Sequence, residues 1–181
     1  MHPDKTPYQI FISDTTENPN GLPEQLFVPE HFDFLLTIGG NLVENEEEYN
    51  AFTSFLREVG EKEFFLREHS TQLGRSVPFE RRFSVVTKYQ EFEKEIKDYS
   101  DFGLQVASWY VYGNLRDWGI YLAELPTINI IGCERHLSDK FRQVFKISGS
   151  GYDELKDFIR QEFRKDELID KFEANYILDG T

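Results

Sequence analysis

The stretch from Phe102 to Gly132 constrains this chain's fold more than any other. It holds three strand-length apolar runs, Phe102 to Tyr112, Trp118 to Glu124 and Thr127 to Gly132, joined by Gly113-Asn114-Leu115-Arg116-Asp117 and by a corner at Leu125-Pro126-Thr127. Links this short join antiparallel neighbours, whereas a crossover to a parallel strand takes about a dozen residues or more. The three runs therefore predict a central antiparallel meander. Apolar side chains occupy both odd and even positions, Leu104, Val106 and Tyr110 against Ala107, Trp109 and Val111. Neither face of the sheet reads as solvated, so something must cover each.

The flanking sequence supplies covers. A mostly apolar run from Phe32 through Ile38 predicts a strand, stopped by Gly39-Gly40-Asn41. Asn45 is placed to cap a helix whose apolar positions Tyr49, Phe52, Phe55, Leu56 and Val59 fall at helical spacing, with Gly60 as its stop. Glu46, Glu47 and Glu48 fill its first turn, where carboxylates favour the positive end of the helix dipole. Phe79 to Val86 predicts another strand. Thr87 with Gln90 then fits a capping box for a helix whose buried stripe is Tyr89, Phe92, Ile96 and Tyr99.

Beyond the meander, Ser138 is the expected N-cap of a helix carrying Leu137, Phe141, Val144 and Phe145. A longer helix after Ser148-Gly149-Ser150-Gly151 lines up Leu155, Phe158, Ile159 and Phe163. Leu168, Ile169, Phe172 and Tyr176 continue the spacing with a phase shift near Lys165-Asp166, either a kink or a second helix. Two strand-helix-strand units, a meander and terminal helices predict a single α+β domain with a mixed or mostly antiparallel sheet.

A chain of 181 residues supports one core. Five of the seven prolines lie in the first 30 residues, beside the turn-forming run Glu17-Asn18-Pro19-Asn20-Gly21. Residues 1–30 accordingly read as an irregular lead-in with a short strand at Tyr8 to Ile12, and residues 31–181 as the domain. The lone cysteine allows no intramolecular disulfide, and the first residues lack a signal-peptide layout, so a cytoplasmic protein is expected. No run approaches the roughly 20 apolar residues of a membrane helix, and no membrane association is expected.

Net charge is −13. The excess is uneven, at −9 over residues 1–60, −1 over 61–120 and −3 over 121–181. Nucleic acid would meet a repulsive average field, while a basic or mixed-charge protein would be steered in.

Motifs for chemistry are sparse. Cys133 stands three residues before His136, with Arg135 between them, and this trio could form a reactive or phosphate-binding site. Alternation along the strand points Cys133 into a core row with Asn129 and Ile131 instead, where cysteine behaves as a small apolar residue. No second cysteine supports a zinc site, and His2, His31 and His69 are scattered, so neither metal nor cofactor is expected. The glycine-rich junctions at 39–41 and 148–151 complete no phosphate-binding pattern. The acidic groups Glu61 with Glu63, and Glu91, Glu93 and Glu95, read as solvated faces.

From Arg57 to Lys88 seven basic residues meet five acidic ones, which makes RNA binding an alternative function. Trp109, Tyr110, Tyr112, Trp118 and Tyr121 concentrate within 13 positions and suit a core or an interface. The leading expectation is a non-enzymatic, cytosolic, acidic protein-binding domain, of which an immunity-type antagonist is one example. Its expected partner-binding residues are Trp109, Tyr112, Trp118, Tyr121, Glu46 and Glu47. An enzyme built on Cys133, Arg135 and His136 is the first alternative.

Overall fold

The short links of the central meander bring its strands side by side as expected. The protein is represented by a computed structural model that describes residues 10–11, 26–27, 32–38, 42–69, 78–99, 108–123, 128–149 and 151–162. In chain order these form β1 (Asp33–Ile38), α1 (Glu46–Glu58), β2 (Glu63–Glu68), β3 (Glu80–Ser84), α2 (Tyr89–Tyr99), β4 (Trp109–Gly113), β5 (Trp118–Ala123), β6 (Ile128–Cys133), α3 (Arg135–Phe145) and α4 (Tyr152–Glu162). The strands make one sheet in the order β1-β6-β5-β4-β2-β3, with every pairing antiparallel. This is a single α+β domain.

Both faces of the meander are covered. On the first face Trp109, Val111, Trp118, Ile120, Leu122 and Ile131 pack beneath Phe52 and Leu56 of α1, Phe92 of α2 and Phe141 of α3. On the second, Tyr110, Tyr112, Tyr121, Ile128 and Ile130 lie under Ile10, Phe11, Leu26 and Phe27 of the lead-in and Leu155 of α4. The N-terminal stretch read as an irregular lead-in thus contributes core residues, and Phe11 pairs with Phe27 through one antiparallel bridge. The remainder of the expected strand at Tyr8 to Ile12 lies outside the described residues.

The lead-in can approach because two glycines stand opposite each other in the β5–β6 register, Gly119 and Gly132. Glycine inside a strand ordinarily weakens it, and here it permits a close approach. A Cβ on Gly119 would lie 2.6 Å from the Phe11 ring and 2.7 Å from Ile10, and one on Gly132 would lie 2.9 Å from the Phe27 ring. The two phenyl rings sit 5.2 Å apart over this hollow, with Phe11 also 4.9 Å from the Tyr110 ring.

Local signals hold where they depend on nearest neighbours. Asn45 accepts a hydrogen bond from the Glu48 N–H at 3.1 Å, and Gly60 takes φ +88° just past α1. Two expectations are corrected, and one strand was not anticipated. Strand β2 has no counterpart in the sequence reading, because its buried Phe64, Leu66 and Glu68 alternate with half-exposed Glu63, Phe65 and Arg67. The capping box is not formed: Gln90 gives its side-chain amide to Glu46 at 2.8 Å, across to α1. Ser138 is no cap, since α3 begins three residues earlier and buries it. The chain turns straight from β6 into α3 at Glu134, whose N–H donates to the Asp117 carbonyl at 2.8 Å. Residues 102–107, 124–127 and 163–176, and the side chains of Tyr99 and Ile159, lie outside the description.

Overpacking a filled hollow costs about 1–3 kcal/mol. Gly119→Ala and Gly132→Ala are each expected to lower the unfolding free energy by about that amount in urea denaturation. In a Phe11→Ala background the Gly119→Ala penalty should shrink, because the ring it strikes is gone. An undiminished penalty would mean that the hollow is not what sets it.

Candidate functional site

The four aromatics expected at a partner surface are all buried. Trp109 and Trp118 belong to the first face, where Trp118 meets Phe52 edge-on at 5.5 Å and Trp109 meets Phe79 at 5.7 Å. Tyr112 and Tyr121 belong to the second face, so in this conformation a partner would meet other residues.

The second-face tyrosines keep their polar tips in use. Tyr110 and Tyr121 are direct cross-strand neighbours with rings 5.1 Å apart. Both hydroxyls reach the same atom, His69 Nδ1, at 3.1 and 3.0 Å. His69 follows β2 directly, and its backbone N–H donates to the Ser108 carbonyl at 2.9 Å, which holds the imidazole beside β4. The imidazole lies nearly parallel to the Tyr110 ring and tilts by 64° to that of Tyr121. One row along, Tyr112 donates its hydroxyl to Glu80 at 2.9 Å, and Arg67 lies 3.8 Å from the same carboxylate. Sequence reasoning singled out Tyr112 and Tyr121, met Arg67 only within the basic stretch from Arg57 to Lys88, set His69 aside as lacking paired spacing, and did not single out Glu80. Finding them requires the β2–β4 register, which sets Arg67 opposite Tyr110, and β2 itself was missed.

Cys133, Arg135 and His136 do not converge. Cys133 is fully buried, and burial, with the charge of Asp33 behind it, pushes its thiol up to about 12. The side chains of Arg135 and His136 are 91% and 61% exposed, lying 3.7 Å from Asp33 and 3.4 Å from Glu134. The thiolate that a nucleophile needs is thus disfavoured where the cation and imidazole are out of reach.

Carboxylates gather where α1 and α2 begin. The Glu46–Gln90 hydrogen bond ties the two helices, and Glu93, Glu44 and Glu46 all act on Tyr89, whose phenol is raised first by burial and then by these charges. Glu44, Glu46, Glu47 and Glu91 are exposed. Glu47 meets Lys146 at 2.8 Å, and that hydrogen bond holds its carboxyl below the usual range. The basic stretch is interrupted by acids: Arg67 lies beside Glu80, Arg81 beside Glu95 at 3.9 Å, and Arg82 beside Glu63 at 3.4 Å. Arg75 lies outside the described residues.

No family model, curated protein or solved structure matches this chain.

Among the described residues, no group of three or more His, Cys, Asp or Glu side chains could hold a metal ion, and no helix is long and apolar enough to cross a membrane.

Glu61 is a buried carboxylate of structural kind. Its Oε1 accepts the Leu115 N–H at 3.1 Å in the β4–β5 link, and a Cβ on Gly113 would overlap the carboxylate. Burial raises its pKa above the ordinary 4.5, and the N–H groups of Leu115 and Asn114 pull it part of the way back. An acid raised in the folded state contributes stability that is complete below its unfolded pKa and is lost as pH rises through the folded one. Glu61→Gln keeps the acceptor and cannot ionise. Its melting temperature relative to the native chain should therefore climb between pH 4 and pH 7, and a flat difference would refute the assignment. Thiol labelling of Cys133 should be slow in the native protein and rapid in denaturant. Fast native labelling would show that the thiol is accessible.

Proposed function

We propose that the protein is a non-enzymatic protein-binding domain that receives a basic partner on the carboxylates at the starts of α1 and α2. The observation that carries this reading is the joining of two acidic helix starts, with Glu44, Glu46, Glu47 and Glu91 exposed together. The Lys146–Glu47 pair is exposed on both sides and screened by solvent, so a partner's cation can displace it. The chain's net charge of −13 adds a long-range attraction that raises arrival rate more than affinity. Burial of the central aromatics leaves charge as the recognition element, and an immunity-type antagonist of a basic toxin is one member of the class.

Co-purification from the native cell at low and high salt, with the native chain and with Glu44→Gln/Glu46→Gln/Glu91→Gln, tests the reading. A basic protein should be retained at low salt, released as the Debye length falls to about 3 Å near 1 M salt, and retained about tenfold less by the triple variant. Retention indifferent to both salt and the substitutions would sink it.

A further inference from the structure

Strand β3 ends one side of the sheet, and among the described residues only β2 pairs with it. Its backbone groups alternate in direction. The Glu68 N–H donates to the Phe79 carbonyl at 2.9 Å and the Val85 N–H to the Lys62 carbonyl at 3.1 Å, with an unbroken register between them. Phe79, Arg81, Phe83 and Val85 therefore turn their N–H and C=O groups toward β2, and Glu80, Arg82 and Ser84 turn theirs outward. The Ser84 carbonyl already accepts the Thr87 N–H at 2.9 Å. Pro78, the next outward position, carries no N–H. The free edge thus has an occupied acceptor at one end and a missing donor at the other, with the side chains of Glu80, Arg81, Arg82 and Ser84 exposed between them.

We propose that this edge docks a second copy of the same chain, β3 against β3, antiparallel about a two-fold axis at Arg81. Outward-facing backbone groups bond only with outward-facing ones, so residues 80, 82 and 84 of one copy must meet outward positions of the other. Centring the pair on Glu80 would oppose Glu80 with Glu80, and centring it on Arg82 would oppose Arg82 with Arg82, and like charges directly opposite destabilise a strand pair. Centring on Arg81 instead sets Glu80 of each copy against Arg82 of the other, where the two residues exchange both backbone bonds and bring opposite charges together. The same register sets Ser84 against Pro78, so the donor that proline lacks falls opposite the carbonyl that Thr87 already satisfies, and it sets Phe79 against Phe83. Its one like-charge pair, Arg81 with Arg81, is offset in each copy by Glu95 at 3.9 Å. The Tyr112 hydroxyl, bound to Glu80 at 2.9 Å, fixes that carboxylate at the edge. Charged side chains ordinarily protect an edge strand from foreign strands. Here an acid and a base two residues apart do so while admitting the chain's own copy in one register.

The edge is short, so the dimer is sought by sedimentation velocity of the full chain at roughly 10–500 μM in about 0.15 M salt, where a Debye length of about 8 Å screens the overall charge. The native chain should pass from monomer to dimer across that range. Glu80→Arg alone and Arg82→Glu alone should each weaken association about tenfold or more, while an equimolar mixture of the two, or both substitutions in one chain, should restore it. Cross-linking reads the register. Across the proposed axis the two Cα atoms of position 81 lie about 4.5 Å apart, so Arg81→Cys should give a covalent dimer on oxidation. Position 84 lies about 20 Å from its own equivalent, so Ser84→Cys should not, with the native chain as the control for Cys133. Circular dichroism melts separate lost docking from lost fold, and the cysteine variants test the register without either charge reversal. A native chain that stays monomeric throughout, a dimer indifferent to both reversals, a mixture that fails to restore it, or equal cross-linking at positions 81 and 84 overturns the proposal.

Discussion

The close approach of Phe11 and Phe27 to the backbone at Gly119 and Gly132 is the contact on which the remaining architecture depends. An antiparallel sheet usually gives one face to water, and its sequence then alternates. This sheet cannot do so, because Tyr110, Tyr112, Tyr121, Ile128 and Ile130 project from the face opposite the α1–α3 layer. Burying a phenyl ring is worth about 1.5–3 kcal/mol, and the hollow accepts two of them at a place where any other residue pair would hold the chain off. With α4 covering β1, the lead-in completes a three-layer arrangement, and the tyrosines become interior groups with their hydroxyls directed to the rim.

That arrangement separates two kinds of chemistry. The first-face side carries exposed carboxylates on helix starts, where the dipole of α1 favours Glu46, Glu47 and Glu48 whether or not a partner exists. The second-face side carries Glu80, Arg67, Tyr110 and Tyr121 in one register row, with Tyr112 two residues along β4 and His69 just past β2. Side chains of opposite parity on one strand serve opposite layers, as Val111 does against Tyr110 and Tyr112. An account of the molecule that treats its middle strands as one aromatic cluster therefore merges two environments.

Much of the fold was legible because its cues are local. The links between β4, β5 and β6 are short, Asn45 and Gly60 bracket α1, and neither β4 nor β5 shows a polar face. The failures share a cause, which is that a neighbour distant in sequence decides the outcome. Gln90 fits a capping box until Glu46 competes for its amide. Ser138 fits a cap until Glu134, held against Asp117, starts α3 sooner. Strand β2 carries as much charge as a surface helix, and only its place between β3 and β4 gives its alternation meaning. His69 inherits that obscurity, since its partners are defined by the strand it follows. The carboxylates were visible as residues, but their junction needed the α1–α2 hydrogen bond.

Burial acts in the same direction on the thiol and on the phenols of this protein, disfavouring the anion of each. Cys133 sits among apolar side chains with Asp33 nearby, and although the Arg142 charge acts the other way, burial dominates and pushes its thiol up to about 12. Phenol is intrinsically the weaker acid, about 10 against about 8.5 for a thiol, and a dry setting alone would hold it still more firmly. Cys133 is closed off by Trp118 and Asp33 opposite it on the two neighbouring strands and by the α3 layer above. The residue that first draws attention in the sequence is therefore inert, because a low-dielectric interior disfavours its anion.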